Sequence, residues 1–183
     1  MPILIRKLAQ EDALLYQAIR MESLRESPLS FASSPEEDTA RDLMEVANIL
    51  APSEDAFVLG VQSGAALVGI AGVFRQSPMK HGHKAFMWGV YIQPSCRGEG
   101  LGERLVMSAI EQAELMPGIE ALCTSVYLTA PAARALYART GFSSWGIEPR
   151  SARIGGQHVD EEHFVHFFSE PPRSLTGEKR DEA

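Results

Sequence analysis

Apolar and polar side chains alternate in PILIRKL (Pro2–Leu8), the pattern of a short strand. The period then changes. AQEDALLYQAIRMESLRES sets Leu14, Ala18, Met21 and Leu24 at helical spacing and predicts a helix that buries them. SPLSFASSPEED interrupts it with prolines and serines. Ser34 can cap a second helix, with Pro35 at its first position and Glu36, Glu37 and Asp38 in its first turn, running to about Leu50.

AFVLGVQSGAALVGIAGVFRQ reads as a hairpin with its turn at Gln62-Ser63-Gly64. SPMKHGHK is a polar connector. AFMWGVYIQP is apolar throughout, which suggests a strand buried on both faces, and Pro94 ends it. A helix follows with Leu101, Leu105, Ala109, Ile110 and Ala113 on one stripe, ended by Met116-Pro117-Gly118. EALCTSVYL is a further strand. Pro131 opens a short helix, PAARALYART, and Gly141 closes it. FSSWGIEPRSARI and VDEEHFVHFF are two strands joined at Gly155-Gly156. The expected order is β-α-α-β-β-β-α-β-α-β-β. There is no internal repeat and no linker long enough to divide the chain, so residues 1–169 read as one domain and 170–183 as a loose polar tail.

Composition narrows the function classes. The 183 residues are 45% hydrophobic, enough for one core. No apolar run reaches the roughly 18 residues of a membrane span, and the N-terminus lacks a signal-peptide pattern. The expectation is a soluble, cytoplasmic protein. Two cysteines, Cys96 and Cys123, are too few for a disulfide scaffold and form no zinc pair. A net charge of −7 disfavours a nucleic-acid partner.

The chemistry concentrates at CRGEGLG (Cys96–Gly102), between the strand that Pro94 ends and an amphipathic helix. A helix start carries unpaired N–H groups and partial positive charge, and glycines let a phosphate reach that backbone. Gly102 is followed by Glu103 rather than a lysine, so this is no nucleotide-triphosphate loop. A dinucleotide fingerprint started at Gly98 and Gly100 would need glycine where Glu103 stands, which argues against an oxidoreductase.

Arg97-Gly98-Glu99-Gly100-Leu101-Gly102 fits [RQ]-x-x-G-x-[GA], and VYIQPSCRGEGLGERLVMSAIEQA resembles motif A of the GCN5-related N-acetyltransferase (GNAT) superfamily. ARALYARTGF (Ala133–Phe142) is similar to that family's second signature, one strand later. The resemblance covers about Ile3 to Phe168. It implies a GNAT fold of the α/β (α+β) class: a central mixed, mostly antiparallel sheet of about seven strands with about four flanking helices.

It also implies an acetyl-CoA-dependent N-acetyltransferase acting on a small-molecule or protein amine, with a homodimer left open. Carried over by position, backbone N–H groups of Arg97, Gly98, Glu99, Gly100, Leu101 and Gly102 would cradle the coenzyme A pyrophosphate. The Glu99 side chain would point outward. Tyr91 and Ile92 would line the pantetheine arm, the Ile92 N–H would polarise the thioester carbonyl, and Tyr137 would protonate the leaving thiolate. Two departures stand out. Ala130 replaces an asparagine that often contacts the coenzyme, with Thr129 as a partial substitute, and the strand before the motif has no carboxylate. The base is then a water chain or an acid from elsewhere: Glu22, Glu26, Glu36, Glu37, Asp38, Asp160 or Glu161. No metal is expected, because His158 and His166 share a strand face that His163 does not. The competing reading is a catalytically weak module that binds and senses acyl-CoA.

Overall fold

In the computed structural model, which describes residues 2–28, 31, 33–39, 41–77 and 79–169, all seven expected strands form. The chain runs β1 (Ile3–Lys7), α1 (Ala13–Glu26), α2 (Pro35–Thr39), α3 (Leu43–Ile49), β2 (Ala56–Ser63), β3 (Ala66–Arg75) and β4 (Lys84–Ile92). It continues through α4 (Leu101–Glu114), β5 (Ala121–Tyr127), α5 (Pro131–Arg139), β6 (Ser143–Ile154) and β7 (Gln157–Phe167). The tail expected over 170–183 lies outside the described residues.

Two expectations need correction. The second helix is two helices, so the described residues hold five α-helices where about four are expected. Asp42 accepts from the Glu45 N–H at 2.8 Å while the Glu45 carboxylate accepts from the Asp42 N–H at 3.0 Å. This reciprocal cap starts a fresh helix, α3, at an extended Asp42. The buried face of α1 also differs. Leu14 is 68% exposed, and the buried stripe is Tyr16, Ile19, Arg20, Ser23 and Leu24. Of the four residues at helical spacing Leu24 is buried and Met21 half-buried, whereas Leu14 and Ala18 are exposed. Two polar residues take part in the buried stripe, which hydrophobic spacing alone does not show.

The sheet is open and ordered β1-β2-β3-β4-β5-β7-β6. Every pairing is antiparallel except β4 with β5. Both faces are covered. Leu105, Val106, Ala109 and Ile110 of α4 pack with Leu59, Val61, Val73 and Met87 on one face. Tyr16 and Ile19 of α1 and Val46 of α3 pack with Val58, Ile70 and Tyr91 on the other. This two-sided burial is why β2, β3 and β4 read as apolar runs.

Two features of β4 position the site. It pairs with β5 only at Lys84–Phe86 against Ala121–Cys123, and β5 pairs along its whole length with β7 instead. Past that point β4 and β5 diverge. The register of β4 against β3 also slips between Ile70 and Gly72. The extra residue sits at Gly89, whose φ of 65° is left-handed. The bulge switches the alternation. Ala85 and Met87 face α4 before it, Val90 and Ile92 after it, and Trp88 and Tyr91 face α1.

Candidate active site

The glycine junction is bare backbone. Gly98 and Gly100 have φ of 84° and 75°, and nothing lies within 4 Å of a Cβ built on either. Gly100 is the N-cap of α4 and supplies no side-chain cap. Buried Leu101 anchors the helix start, so its first N–H groups stay aimed outward. At Gly102 a Cβ would meet Leu136 of α5 at 3.6 Å. That is an ordinary packing distance, so α4 and α5 lie in contact here whether or not a Cβ is present. These features fit a pyrophosphate, which needs open N–H groups and no side chains over them.

A groove of about 610 Å³ runs from this junction between β4 and α5. Arg97, Gly98, Gly100, Leu101, Gly102, Tyr91 and Ile92 line it, whereas Glu99 does not. Ala130 also lines it, where an asparagine would have offered a side-chain contact. The Gln93 N–H bonds the Val68 carbonyl at 2.9 Å, so Gln93 faces β3. By antiparallel alternation the N–H and C=O of Ile92 face the diverging side. The Ile92 carbonyl there accepts from Arg97 Nε at 2.9 Å. Tyr91 turns its ring to the α1 face, where its hydroxyl donates to Glu22 at 3.1 Å. Burial and that carboxylate push the Tyr91 phenol up to about 12.

Tyr137 sits on α5 with its ring 5.6 Å from Phe142 and 5.8 Å from Phe164, and it is 5% exposed. Burial pushes its phenol up to about 12, against a smaller downward pull from the Thr124 hydroxyl. Thr124 in turn donates to the Met87 carbonyl at 3.0 Å, bridging β5 to β4 where their ladder ends. The phenol is therefore held at the point of divergence.

A second cavity, of about 260 Å³, opens in front of that point. Its walls come from α1, the segment before α2, β4, β5, α5 and β7. Phe31, Val90, Ala133 and Tyr137 line both spaces. The two cavities meet at Tyr137.

Of the acids considered from the sequence, Glu161 lines the front cavity, where its carboxylate is bonded to Ser151. Glu22 is held by Tyr91 and by Gln93 at 2.8 Å. Glu26 pairs with Arg97 at 2.7 Å, which lowers its pKa, and Asp38 pairs with Arg20 at 2.7 Å. Glu37 bonds the Ser34 N–H at 2.8 Å, and Asp160 that of Arg150 at 2.8 Å. His163 lies 3.1 Å from Glu148, and with Glu161 their ligand atoms fall within 4.8 Å of one another. Cross-strand pairing, which the single-strand face argument omitted, brings these three together. Sequence reasoning passed over Arg20, Phe31 and Trp88 of the front cavity and Arg139 of the groove. No local signal marks them. Gly89, in the middle of an apolar strand, was a legible bulge signal.

The Acetyltransferase (GNAT) family model matches residues 19–142. A Bacillus subtilis (strain 168) protein, "Putative phosphinothricin acetyltransferase YwnH", is 31% identical over 71 residues, 39% of this chain and 43% of that protein. The match thus spans less than half the length of this curated relative. Among solved structures, an acetyltransferase of the GNAT family from Streptococcus pneumoniae superposes with a TM-score of 0.81 at 23% identity, covering 91% of this chain and 99% of that one. yncA, a putative acetyltransferase from Salmonella typhimurium solved with its cofactor acetyl-CoA, gives 0.76 at 17% identity, covering 97% and 100%. At these identities the superpositions show the fold. Among the described residues no helix is long and apolar enough to cross a membrane.

Proposed function

The chain belongs to the GNAT acetyltransferase family, and on that premise we propose that it transfers the acetyl group of acetyl-CoA to a primary amine. The observation that carries the reading is Tyr137, on the wall shared by the cofactor groove and the front cavity.

When bound, acetyl-CoA supplies an acetyl group activated as a thioester, whose C–S bond breaks as the new C–N bond forms. The N–H groups of the glycine junction and the start of α4 would hold its phosphates. Ile92 would donate its N–H to the thioester carbonyl oxygen, where negative charge develops. Tyr137 holds a proton that it keeps at neutral pH, because burial raises its phenol. A thiol titrates near about 8.5 and a phenol at about 12 holds its proton more tightly. Tyr137 therefore acts as a hydrogen-bond donor that stabilises the developing thiolate while keeping its own proton. Glu161, the acid lining the front cavity, is the residue we assign to accept the amine proton.

The test is thiol release from acetyl-CoA across a panel of amines, read beside acetyl-CoA affinity. Amine-dependent release supports the transferase. Tight binding with no release from any amine sinks it in favour of a sensor of the acyl-coenzyme.

A further inference from the structure

The front cavity holds a cation that the acetyl-transfer reading leaves without a task. Arg20 lines this cavity, and its side chain is 8% exposed. Its Nε donates to Asp38 Oδ2 at 2.7 Å. Its Nη1 is buried and has no hydrogen-bond partner among the described residues. That nitrogen lies 3.6 Å from where a Cβ on Gly89 would stand, so it faces the β4 bulge. The rings of Phe31 and Trp88 flank the guanidinium, 5.2 and 5.6 Å from its carbon.

This arrangement is incomplete. A guanidinium can only donate, and a buried N–H left without an acceptor is costly. Asp38 balances the charge of Arg20 but not this donor: its Oδ2 takes Nε, and its Oδ1, which also lacks a hydrogen-bond partner among the described residues, lies 3.4 Å from Arg41 Nη1 on the outer side. Arg41 is half exposed and does not line the cavity, so what the cavity meets is the unpartnered N–H side of the Arg20 guanidinium. The flanking rings keep water from the guanidinium and raise the worth of any anion that reaches Nη1. Among the described residues, the other charged residue lining the cavity is Glu161. One cation and one anion face a space of about 260 Å³, smaller than the roughly 300 Å³ at which drug-sized pockets begin.

We propose that the acceptor is a small amine carrying a monoanionic group, of the size and charge pattern of an amino acid. Its carboxylate, or a comparable anion, takes the free Nη1 of Arg20, and its amine faces Tyr137 and Glu161. A polyamine is disfavoured, since it would set a second cation against a buried guanidinium. The amine half of this statement rests on the acetyl-transfer reading. The anion site does not.

The test separates the two. Calorimetry on the full chain saturated with coenzyme A would use glycine and the common L-amino acids as probes, each beside its own carboxamide. At least one acid should bind about tenfold or more tighter than its amide, the worth of a charge-assisted hydrogen bond. The double variant Arg20→Gln with Asp38→Asn removes both charges together and should abolish the preference. Equal binding of every pair, or no binding by any acid, overturns the anion site; so does a folded double variant that keeps the preference. The wild-type comparison decides by itself if the variant fails to fold. An acid preference without thiol release would leave the anion site standing and remove the transferase reading. Thiol release from neutral amines, with no preference for acids, would do the reverse.

Discussion

The guanidinium of Arg97 meets the carboxylate of Glu26 at 2.7 Å, joining the glycine junction to the end of α1. Arg97 is also bonded to the Ile92 carbonyl. Its charge lines the groove but is already engaged. Partly exposed pairs of this kind contribute only about 0–1 kcal/mol to stability.

We therefore expect Arg97→Ala to weaken acetyl-CoA binding by about 1–2 kcal/mol. Glu26→Gln should tighten it by releasing the guanidinium. Calorimetry at two salt concentrations checks both. Unchanged affinity in both variants would remove Arg97 from the phosphate site.

Gly100→Asp should lower acetyl-CoA affinity by about tenfold or more, because it sets a carboxylate at the uncapped start of α4. Aspartate tolerates a left-handed backbone better than most residues, so the loop should survive. Circular dichroism would verify the fold. Normal affinity would refute the cradle.

Tyr137→Phe should leave acetyl-CoA affinity unaltered and reduce turnover by about 10²–10⁴. The loss should shrink with an acyl donor whose thiol leaves more readily. A donor works while protonated, so with a phenol at about 12 its ionisation should cause no alkaline fall in rate across the neutral to mildly basic range. Full turnover in Tyr137→Phe would make water the donor and the ring a packing residue.

Asp12 should couple stability to acid. Arg6 donates to both its oxygens at 2.7 Å and holds its pKa below the usual value. Glu162 is held low in the same way by Arg134. A depressed carboxylate stabilises above its unfolded pKa, about 4, and the contribution fades as pH falls through the lower folded value. The melting temperature should drop below about pH 4, and less steeply in Asp12→Asn, which starts lower. Parallel curves for both proteins would show that the pair contributes nothing to the linkage.

Gly72→Ala should destabilise the sheet and disturb the front cavity. Its Cβ would fall 2.3 Å from Trp88 Cε2, so the indole must move. Overpacking of this size costs about 1–3 kcal/mol, or several degrees of melting temperature at about 2–4 °C per kcal/mol. Indole fluorescence would report the shift. An unchanged melting temperature would mean that Trp88 does not lie over Gly72.

The elements and the groove half of the site were legible in the chain, because their signals are local. The apolar runs of β2 to β4 announce two-sided burial. Gly98 and Gly100 mark a left-handed turn into α4, and Tyr137 stands in a signature ten residues past the end of β5 at Tyr127. The break between α2 and α3 is also local, written in the Asp42–Glu45 cap.

The front half depended on tertiary structure. Arg20 and Asp38 are 18 positions apart and Arg97 and Glu26 are 71 apart. Only folding gives those pairs their distances. A polar side chain on an amphipathic helix reads as a surface residue until its partner is known, so Arg20 and Ser23 hid the buried face of α1. Periodicity reports which positions avoid water. It does not report which polar group another part of the chain will satisfy, or which, like Nη1 of Arg20, will find no partner among the described residues.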